Sequence, residues 1–292
     1  MEKLQVAIEQ ARLRREGVRG KDGPQTPKTP TGGSQGGPAP RKRPGPRLLP
    51  DGLMERWTAL PEITLPNTPG DARRLVAQAP GPHASHYDVL RTKLLIELRK
   101  NGWRRVAITS PTGNCGKSTT ACNLALSIAR QGDLRTSLFD LALRRPAVAH
   151  LMGSDPRRDI SEFLSGEISY GEQAVRVGPN LAVSMALHHQ VDPTQLLAGE
   201  RAAELIDEVE KEYAPDVMIF DLPPLLAADD ARAFLRNVDC AILMAQAEVT
   251  TSQQIDICER EIAEQTNVLG VVLNECRFDP GPRGNEEYGY TS

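Results

Sequence analysis

The sequence predicts an α/β fold in which a mostly parallel sheet carries helices on both of its faces. Two observations support this prediction. Short, continuously apolar runs such as VMIFD and CAILMA have the pattern of strands that are buried on both sides. Longer segments with apolar residues at helical spacing lie between these runs, and such alternation is typical of parallel strands joined by crossover helices.

The predicted elements begin near residue 84. The first is a helix in SHYDVLRTKLLIELRKNG, where Leu90, Leu94 and Leu98 share one helical face. Further helices are predicted over residues 116–131, 200–213 and 251–265. Strands are predicted over residues 106–110, 136–140, 181–186, 216–221, 240–245 and 269–274.

The chain divides into four predicted regions. Residues 1–16 place apolar residues at helical spacing among basic ones, which predicts an amphipathic helix. One interpretation is that this helix docks on a partner or on an anionic membrane surface. The other is that it is a short and partly frayed helix. Residues 17–83 are rich in Pro and Gly and predict a mostly disordered linker. Residues 84–280 form the predicted folded domain, and residues 281–292 form a tyrosine-containing C-terminal tail.

The bulk properties exclude several classes of protein. The formal net charge is −3, so nothing global indicates binding to nucleic acid. The five cysteines show no C-x-x-C pair and no zinc-site spacing, which favours reduced thiols in the cytosol. No signal peptide is present, and no apolar run approaches the length of a membrane span. We therefore expect a cytoplasmic chain that does not itself cross a membrane.

The stretch ITSPTGNCGKSTT lies between a predicted strand and a predicted helix, where a phosphate-binding loop has to lie. Lys117 is expected to reach the β- and γ-phosphates of a nucleotide, and the Ser118 hydroxyl to bind Mg²⁺. Pro111 stands where the general pattern has its first Gly, so the loop is of a deviant kind. The motif predicts a P-loop NTPase fold. The residues expected to contact the nucleotide are Gly113, Asn114, Cys115, Gly116, Lys117, Ser118 and Thr119.

Two aspartates end predicted strands on the same side as this loop. Asp140 ends TSLFD, and Asp221 ends VMIFD. Because ligands of open α/β sheets bind beyond the carboxyl ends of the strands, we expect both carboxylates to meet the loop. Their expected role is to bind Mg²⁺, together with Ser118, and to take part in catalysis with Lys117.

Together these motifs resemble the bacterial tyrosine kinases of capsule and exopolysaccharide synthesis. That family belongs to the deviant P-loop ATPases, which also include the cell-division and partitioning ATPases. The resemblance covers about residues 84–278, and MIFDLPP matches the family's I-I-D-x-P-P motif. By this resemblance Asn274, at the end of GVVLN, contacts the adenine. The family's D-x-D-x-R-x-P motif falls on Asp140, Ala142, Arg144 and Pro146.

The resemblance implies a tyrosine autokinase that uses ATP and Mg²⁺ and regulates exopolysaccharide or capsule polymerisation and export. It implies Tyr288 and Tyr290 of the tail as phosphoacceptors, and a homo-oligomer. It also implies an inner-membrane polysaccharide co-polymerase as activator. The protein would then be cytoplasmic and peripheral to the inner membrane through that partner.

The sequence departs from the family pattern at two places. The oligomer-forming motif E-x-x-R-x-x-R falls on Ser85, Asp88 and Arg91, so only its last residue is retained. Ala142 replaces the second aspartate of the D-x-D motif, and a methyl group accepts no proton and binds no metal. This leaves two functions open: an autokinase, or a catalytically weak ATP-binding regulator that docks on the co-polymerase.

Two smaller questions concern the loops around the site. A partitioning or cell-division ATPase is disfavoured, because Thr112 occupies the position of the signature lysine of that group. Arg144 and Arg145 could contact phosphate or a neighbouring subunit, or lie in a solvated turn.

Overall fold

The computed structural model describes residues 49–66, 75–227 and 229–276. The predictions for the helix over residues 1–16 and for the tail over residues 281–292, with Tyr288 and Tyr290, lie outside the described residues. Within the described ranges, no helix combines the length and the apolar character needed to cross a bilayer.

The described strands form one seven-stranded sheet in the order β3-β4-β2-β5-β1-β6-β7. Every neighbouring pair is parallel except β3 with β4, which is antiparallel. The mostly parallel sheet predicted from the sequence is therefore confirmed. The strands are β1 (Arg105–Thr109), β2 (Thr136–Asp140), β3 (Val175–Val177), β4 (Leu181–Ser184), β5 (Val217–Asp221), β6 (Cys240–Gln246) and β7 (Asn267–Asn274).

Helices cover both faces of this sheet. Along β1, Val106 and Ile108 pack into the hydrophobic cluster on one face, whereas Ala107 packs into the cluster on the other. This alternation, with both sides buried, explains why the strands read as continuous apolar runs. The helices of the described residues are α1 (Leu53–Ala59), α2 (Pro82–Asn101), α3 (Lys117–Ala129), α4 (Val148–Met152), α5 (Ile160–Leu164), α6 (Tyr170–Gln173), α7 (Pro193–Ala198), α8 (Glu200–Glu212), α9 (Asp230–Leu235) and α10 (Ser252–Gln265).

Part of the segment predicted as a disordered linker is folded. Helix α1 buries Trp57, which is 1% exposed and donates from its indole Nε1 to the carbonyl of Tyr213 at 2.7 Å. Leu53, Trp57 and Leu60 recur at i, i+4 and i+7, but a long Pro- and Gly-rich stretch around them hides this pattern in the average composition. Residues 49–66 therefore differ from the expectation for the linker.

Edge strand β3 was not predicted, because three residues with one polar side chain give almost no periodic signal. It pairs with β4 on one side and with residues 61–63 on the other. The amide of Ile63 donates to the carbonyl of Arg176 at 2.8 Å, and the amide of Arg176 donates to the carbonyl of Pro61 at 2.7 Å. The folded domain thus extends upstream of the predicted start at residue 84.

Candidate active site

The phosphate loop leaves β1 and ends where α3 begins at Lys117. Two of its residues adopt left-handed backbone conformations, Asn114 with φ 63° and Gly116 with φ 79°. Asn is among the few residues with a side chain that tolerate this region, whereas Gly116 has a second constraint. A Cβ at Gly116 would collide with the side-chain amide of Asn274. The loop therefore needs glycine at residue 116.

The side chain of Lys117 is folded back along this loop. It is 7% exposed, and its Nζ donates to the Ser110 hydroxyl at 2.9 Å. Burial lowers the pKa of Lys117, and the nearby charge of Asp221 opposes that shift. Ser110 was not singled out from the sequence. Its only signal is its place at the junction of strand and loop, directly before Pro111.

The two aspartates are neighbours at the carboxyl edge of the sheet. Asp140 of β2 and Asp221 of β5 are paired in register, and both are fully buried. The amide of Leu141 donates to the carbonyl of Asp221 at 2.9 Å, so the backbones remain joined just past the strand ends. Like charges this close cannot both ionise without a compensating cation.

Asp140 is held by the loop that follows it. Its carboxylate accepts hydrogen bonds from the amides of Ala142 at 3.2 Å, Ala147 at 3.3 Å and Val148 at 3.2 Å. Burial and the charge of Asp221 nevertheless raise the pKa of Asp140, and these amides oppose the rise. Asp140 therefore fixes the loop over residues 141–147 and also keeps a carboxyl group beside Asp221.

Asp221 lacks such partners. Among the described residues, neither of its carboxylate oxygens has a hydrogen-bond partner of normal geometry. Burial raises its pKa, and the adjacent Ser118 hydroxyl and Lys117 ammonium partly offset this without completing a hydrogen bond. A buried carboxylate without a partner is costly, so the site is built to receive a positive group at this point.

Mg²⁺ fits this arrangement. It prefers oxygen ligands, and it commonly takes one or two carboxylates while waters and substrate phosphates complete its shell. Asp221, Asp140 and the Ser118 hydroxyl supply oxygens of this kind at the start of α3. The described residues hold no cluster of three or more His, Cys, Asp or Glu that could by itself hold a metal ion.

The end of β7 contacts the same loop. The side-chain amide of Asn274 donates to the carbonyl of Cys115 at 3.1 Å. Cys115 is fully buried, and its thiol donates to the carbonyl of Thr112 at 3.3 Å, so this residue supports the loop from within. The predicted contact of Asn274 with adenine stays a prediction. What the structure adds is a direct link between that residue and the loop.

The structure thus brings the predicted loop residues, Asp140, Asp221 and Asn274 to one edge of the sheet. Thr119 lies in the first turn of α3, where its carbonyl accepts a hydrogen bond from Asn123 at 2.9 Å. Ala142 is 7% exposed, and its backbone amide donates to the carboxylate of Asp140.

Helix α2 carries the remnant of the oligomer motif, and its arginine is turned inward. Arg91 donates to the carboxylate of Asp88 and to the Ser127 carbonyl, each at 3.1 Å. Arg130 of the neighbouring segment also pairs with Asp88. In the chain as described, Arg91 therefore joins α2 to α3.

Comparisons with known proteins agree with this geometry. Residues 106–287, more than half of the chain, match the family described as the CobQ/CobB/MinD/ParA nucleotide binding domain. The tyrosine-protein kinase YwqD of Bacillus subtilis is 28% identical over 211 residues, which cover 71% of this chain and 86% of YwqD. The succinoglycan biosynthesis transport protein ExoP of Rhizobium meliloti is 30% identical over 178 residues, 59% of this chain and 22% of ExoP.

The fold is also shared with a solved kinase domain. The structure of the kinase domain of the Escherichia coli tyrosine kinase Etk superposes with a TM-score of 0.65 at 23% identity, covering 74% of this chain and 84% of that one. Several other curated relatives are longer proteins, of which this chain spans about a quarter. The chain belongs to the CobQ/CobB/MinD/ParA family of nucleotide-binding domains, and bacterial tyrosine-protein kinases are among its relatives.

Proposed function

We propose that this chain is an ATP-dependent protein-tyrosine autokinase that regulates exopolysaccharide or capsule polymerisation and export. One observation carries the proposal: the fully buried carboxylate of Asp221 lies beside Lys117 and Ser118 at the start of helix α3. The names of YwqD, a tyrosine-protein kinase, and of ExoP, a succinoglycan biosynthesis transport protein, supply the direction of the chemistry and its setting.

ATP and Mg²⁺ are the proposed cofactors. The amides from Gly113 to Lys117 would hold the phosphates, and the Lys117 ammonium would leave Ser110 to contact them. Ser118, Asp140 and Asp221 would hold Mg²⁺ through its oxygen shell. When bound, the ion neutralises charge on the transferring phosphoryl group. Asn274 would meet the adenine while keeping the loop in place.

The proposed reaction moves the γ-phosphoryl group of ATP to a tyrosine oxygen and leaves ADP. The proposed acceptors are Tyr288 and Tyr290 of the tail. The phenol proton has to be taken up as the new bond forms, and Asp140 is the carboxylate left beside Ala142 to accept it.

The proposed partner is an inner-membrane polysaccharide co-polymerase that activates the chain and holds it at the membrane from the cytoplasmic side. A homo-oligomer is also proposed, since the tail of one subunit would reach the site of another. Because Arg91 is engaged with Asp88 and Ser127 inside the chain, that oligomer would use a contact other than the family's arginine motif.

A second function is favoured by one residue. Ala142 removes a carboxylate that the family places near the metal, so the chain could instead be an ATP-binding regulator with weak transfer activity. Its ATP-dependent docking on the co-polymerase would then be the functional output, and the phosphate loop, Asp140 and Asp221 would serve binding alone.

Phosphotyrosine mapping separates the two functions. The purified chain, incubated with labelled ATP and Mg²⁺, is expected to acquire label on Tyr288 or Tyr290. The matched control replaces both tyrosines with phenylalanine, which keeps the rings and removes the acceptor oxygens. Bound ATP without label, even with a membrane partner present, would leave only the regulatory function. Label on serine or aspartate would overturn the kinase assignment.

Ala142→Asp tests whether the missing carboxylate limits the rate. We expect transfer to rise by about 10²-fold or more if it does, the usual effect of a positioned acid or base. The ligand-free variant should be less stable, since a third carboxylate would join two buried ones. Ala142→Asn has nearly the same size without the charge and serves as the control. An equal rise in both variants would argue against a carboxylate effect.

A further inference from the structure

The buried carboxylate of Asp230 holds three segments together through Arg144. Asp230 has no exposed side-chain surface, and it accepts hydrogen bonds from Nε and Nη2 of Arg144 and from the Thr194 hydroxyl. The remaining Arg144 nitrogen, Nη1, donates to the carbonyl of Val191 at 3.0 Å. One guanidinium therefore joins the loop after β2 to the start of α7 and to the start of α9.

These contacts engage both the hydrogen-bond donors and the positive charge of Arg144. All three guanidinium nitrogens donate within the chain, and the positive charge is matched by Asp230. Burial alone would raise the pKa of Asp230, but the hydrogen bonds from Arg144 and Thr194 lower it below the usual value. A fork-like pair of this kind is the strong geometry for arginine and carboxylate. Arg144 is thus anchored within the chain, although its side chain is 38% exposed.

The same loop carries the amides that hold Asp140. Arg144 lies between Ala142 and Ala147, whose amides donate to Asp140. The loop is also tied at Leu143, whose carbonyl accepts from the amide of Gln190 at 2.9 Å. Arg144 anchors the outer side of the loop, and the amides on its inner side hold the carboxylate of Asp140. The position of that carboxylate therefore depends on Arg144.

We propose that Arg144 is a positioning residue. Anchored on Asp230 and Thr194, it fixes the loop over residues 141–147 and so holds the carboxylate of Asp140 beside Asp221 in the geometry that receives Mg²⁺. This inference rests on the proposed function, because it assigns Arg144 to the metal side of the nucleotide site. Asp230 and Thr194 act through Arg144.

The test compares nucleotide affinity with Mg²⁺ and with EDTA, using a fluorescent ATP analogue and the full chain. Arg144→Gln and Asp230→Asn are both expected to weaken binding in Mg²⁺ by about tenfold to a hundredfold, as for other residues that orient metal ligands. Affinity in EDTA, set by the phosphate loop, should stay unchanged. Arg158→Gln is the control, since it removes an exposed pair with Glu162 at 2.9 Å.

Asp230→Asn separates positioning from direct phosphate binding. If Arg144 bound phosphate directly, Asp230→Asn would free it, and the affinity for the ATP analogue would stay the same or rise. Arg144→Gln would then weaken binding of the analogue in both Mg²⁺ and EDTA. That pattern would overturn the proposal. The proposal would also be overturned if the variants melted at a lower temperature while the ratio of their nucleotide affinities in Mg²⁺ and in EDTA stayed unchanged. That result would indicate a structural role only. If Asp230→Asn fails to fold, Thr194→Val removes one hydrogen bond from the same carboxylate and should show a smaller loss in Mg²⁺.

A second readout needs no nucleotide. Hydrogen exchange at the amides of Ala142, Ala147 and Val148 in the ligand-free chain should accelerate in Arg144→Gln, and unchanged exchange there would contradict the inference. If the wild type itself binds no ATP, the proposed function fails, while this exchange experiment still decides whether Arg144 holds the loop.

Discussion

Asp221→Asn is expected to abolish phosphate transfer and yet to make the ligand-free protein more stable. Transfer should fall by at least about 10²-fold, because the variant loses a charge that holds the metal against the phosphates. The gain in stability follows from the absence of a partner for this buried carboxylate. Removing a buried charge that Lys117 and Ser118 only partly offset should raise the free energy of unfolding by about 1–3 kcal/mol. Activity and thermal unfolding of one preparation measure both effects.

The stability difference should depend on pH. The folded-state pKa of both Asp221 and Asp140 is raised above the ordinary value, which is about 3.9. Groups of this kind contribute stability that is fully present below the unfolded pKa and is lost as pH rises through the folded pKa. The wild type should therefore lose stability relative to Asp221→Asn as pH rises from about 4 toward neutral pH.

Asp216→Asn is the matched control for this prediction. Asp216 lies just before β5, and its carboxylate accepts a hydrogen bond from the amide of Arg135 at 2.8 Å. This variant should lose some stability and keep its activity. The prediction would be contradicted if, at neutral pH and without added Mg²⁺, the wild-type protein were more stable than the Asp221→Asn variant.

Lys117→Met is expected to remove activity and to lower stability. A methionine of similar length should fill the place of the buried lysine, but the ammonium that partly offsets the buried charge of Asp221 is lost. Loss of a charge-assisted contact to phosphate should weaken ATP binding by about 1.5–3 kcal/mol. Transfer should fall by about 10²–10³-fold, as when one preorganised donor to a transition state is removed.

Lys93→Met provides the control, because that lysine lies on the exposed side of α2. Isothermal titration with ATP and incorporation of labelled phosphate are measured on both variants. Full activity in Lys117→Met would show that the loop binds phosphate through its backbone alone. Unchanged stability would show that the ammonium does not offset the buried charge of Asp221.

The sequence predicted which residues gather at this edge of the sheet because their signals are local. The loop needs unusual backbone conformations at Asn114 and Gly116, and such demands leave small residues at fixed spacing. Asp140 and Asp221 were found through a rule about strand ends, which requires only that each strand be recognised. Both carboxylates then fall together because the sheet is parallel and their strands are neighbours.

Features that depend on distant residues were missed. Asp230 lies 86 residues from Arg144, and no pattern in the intervening sequence indicates that they pair. Trp57 is separated by a longer interval from Tyr213, and its helix lies in a stretch whose average composition resembles a linker. Whether a single tryptophan or arginine is buried depends on the residues that pack against it in the fold. Local sequence patterns do not show those residues when they are distant in the chain.

The pairing of residues 61–63 with β3 affects how the protein behaves in solution. An uncovered strand edge offers free N–H and C=O groups that promote aggregation through pairing with another molecule. The backbone of Arg176 is instead satisfied by Pro61 and Ile63, and its side chain pairs with Glu62 at 2.9 Å. A chain shortened to begin at residue 84 would lose this cover together with Trp57. Residues 61–63 therefore also protect this edge of the sheet against aggregation through strand pairing.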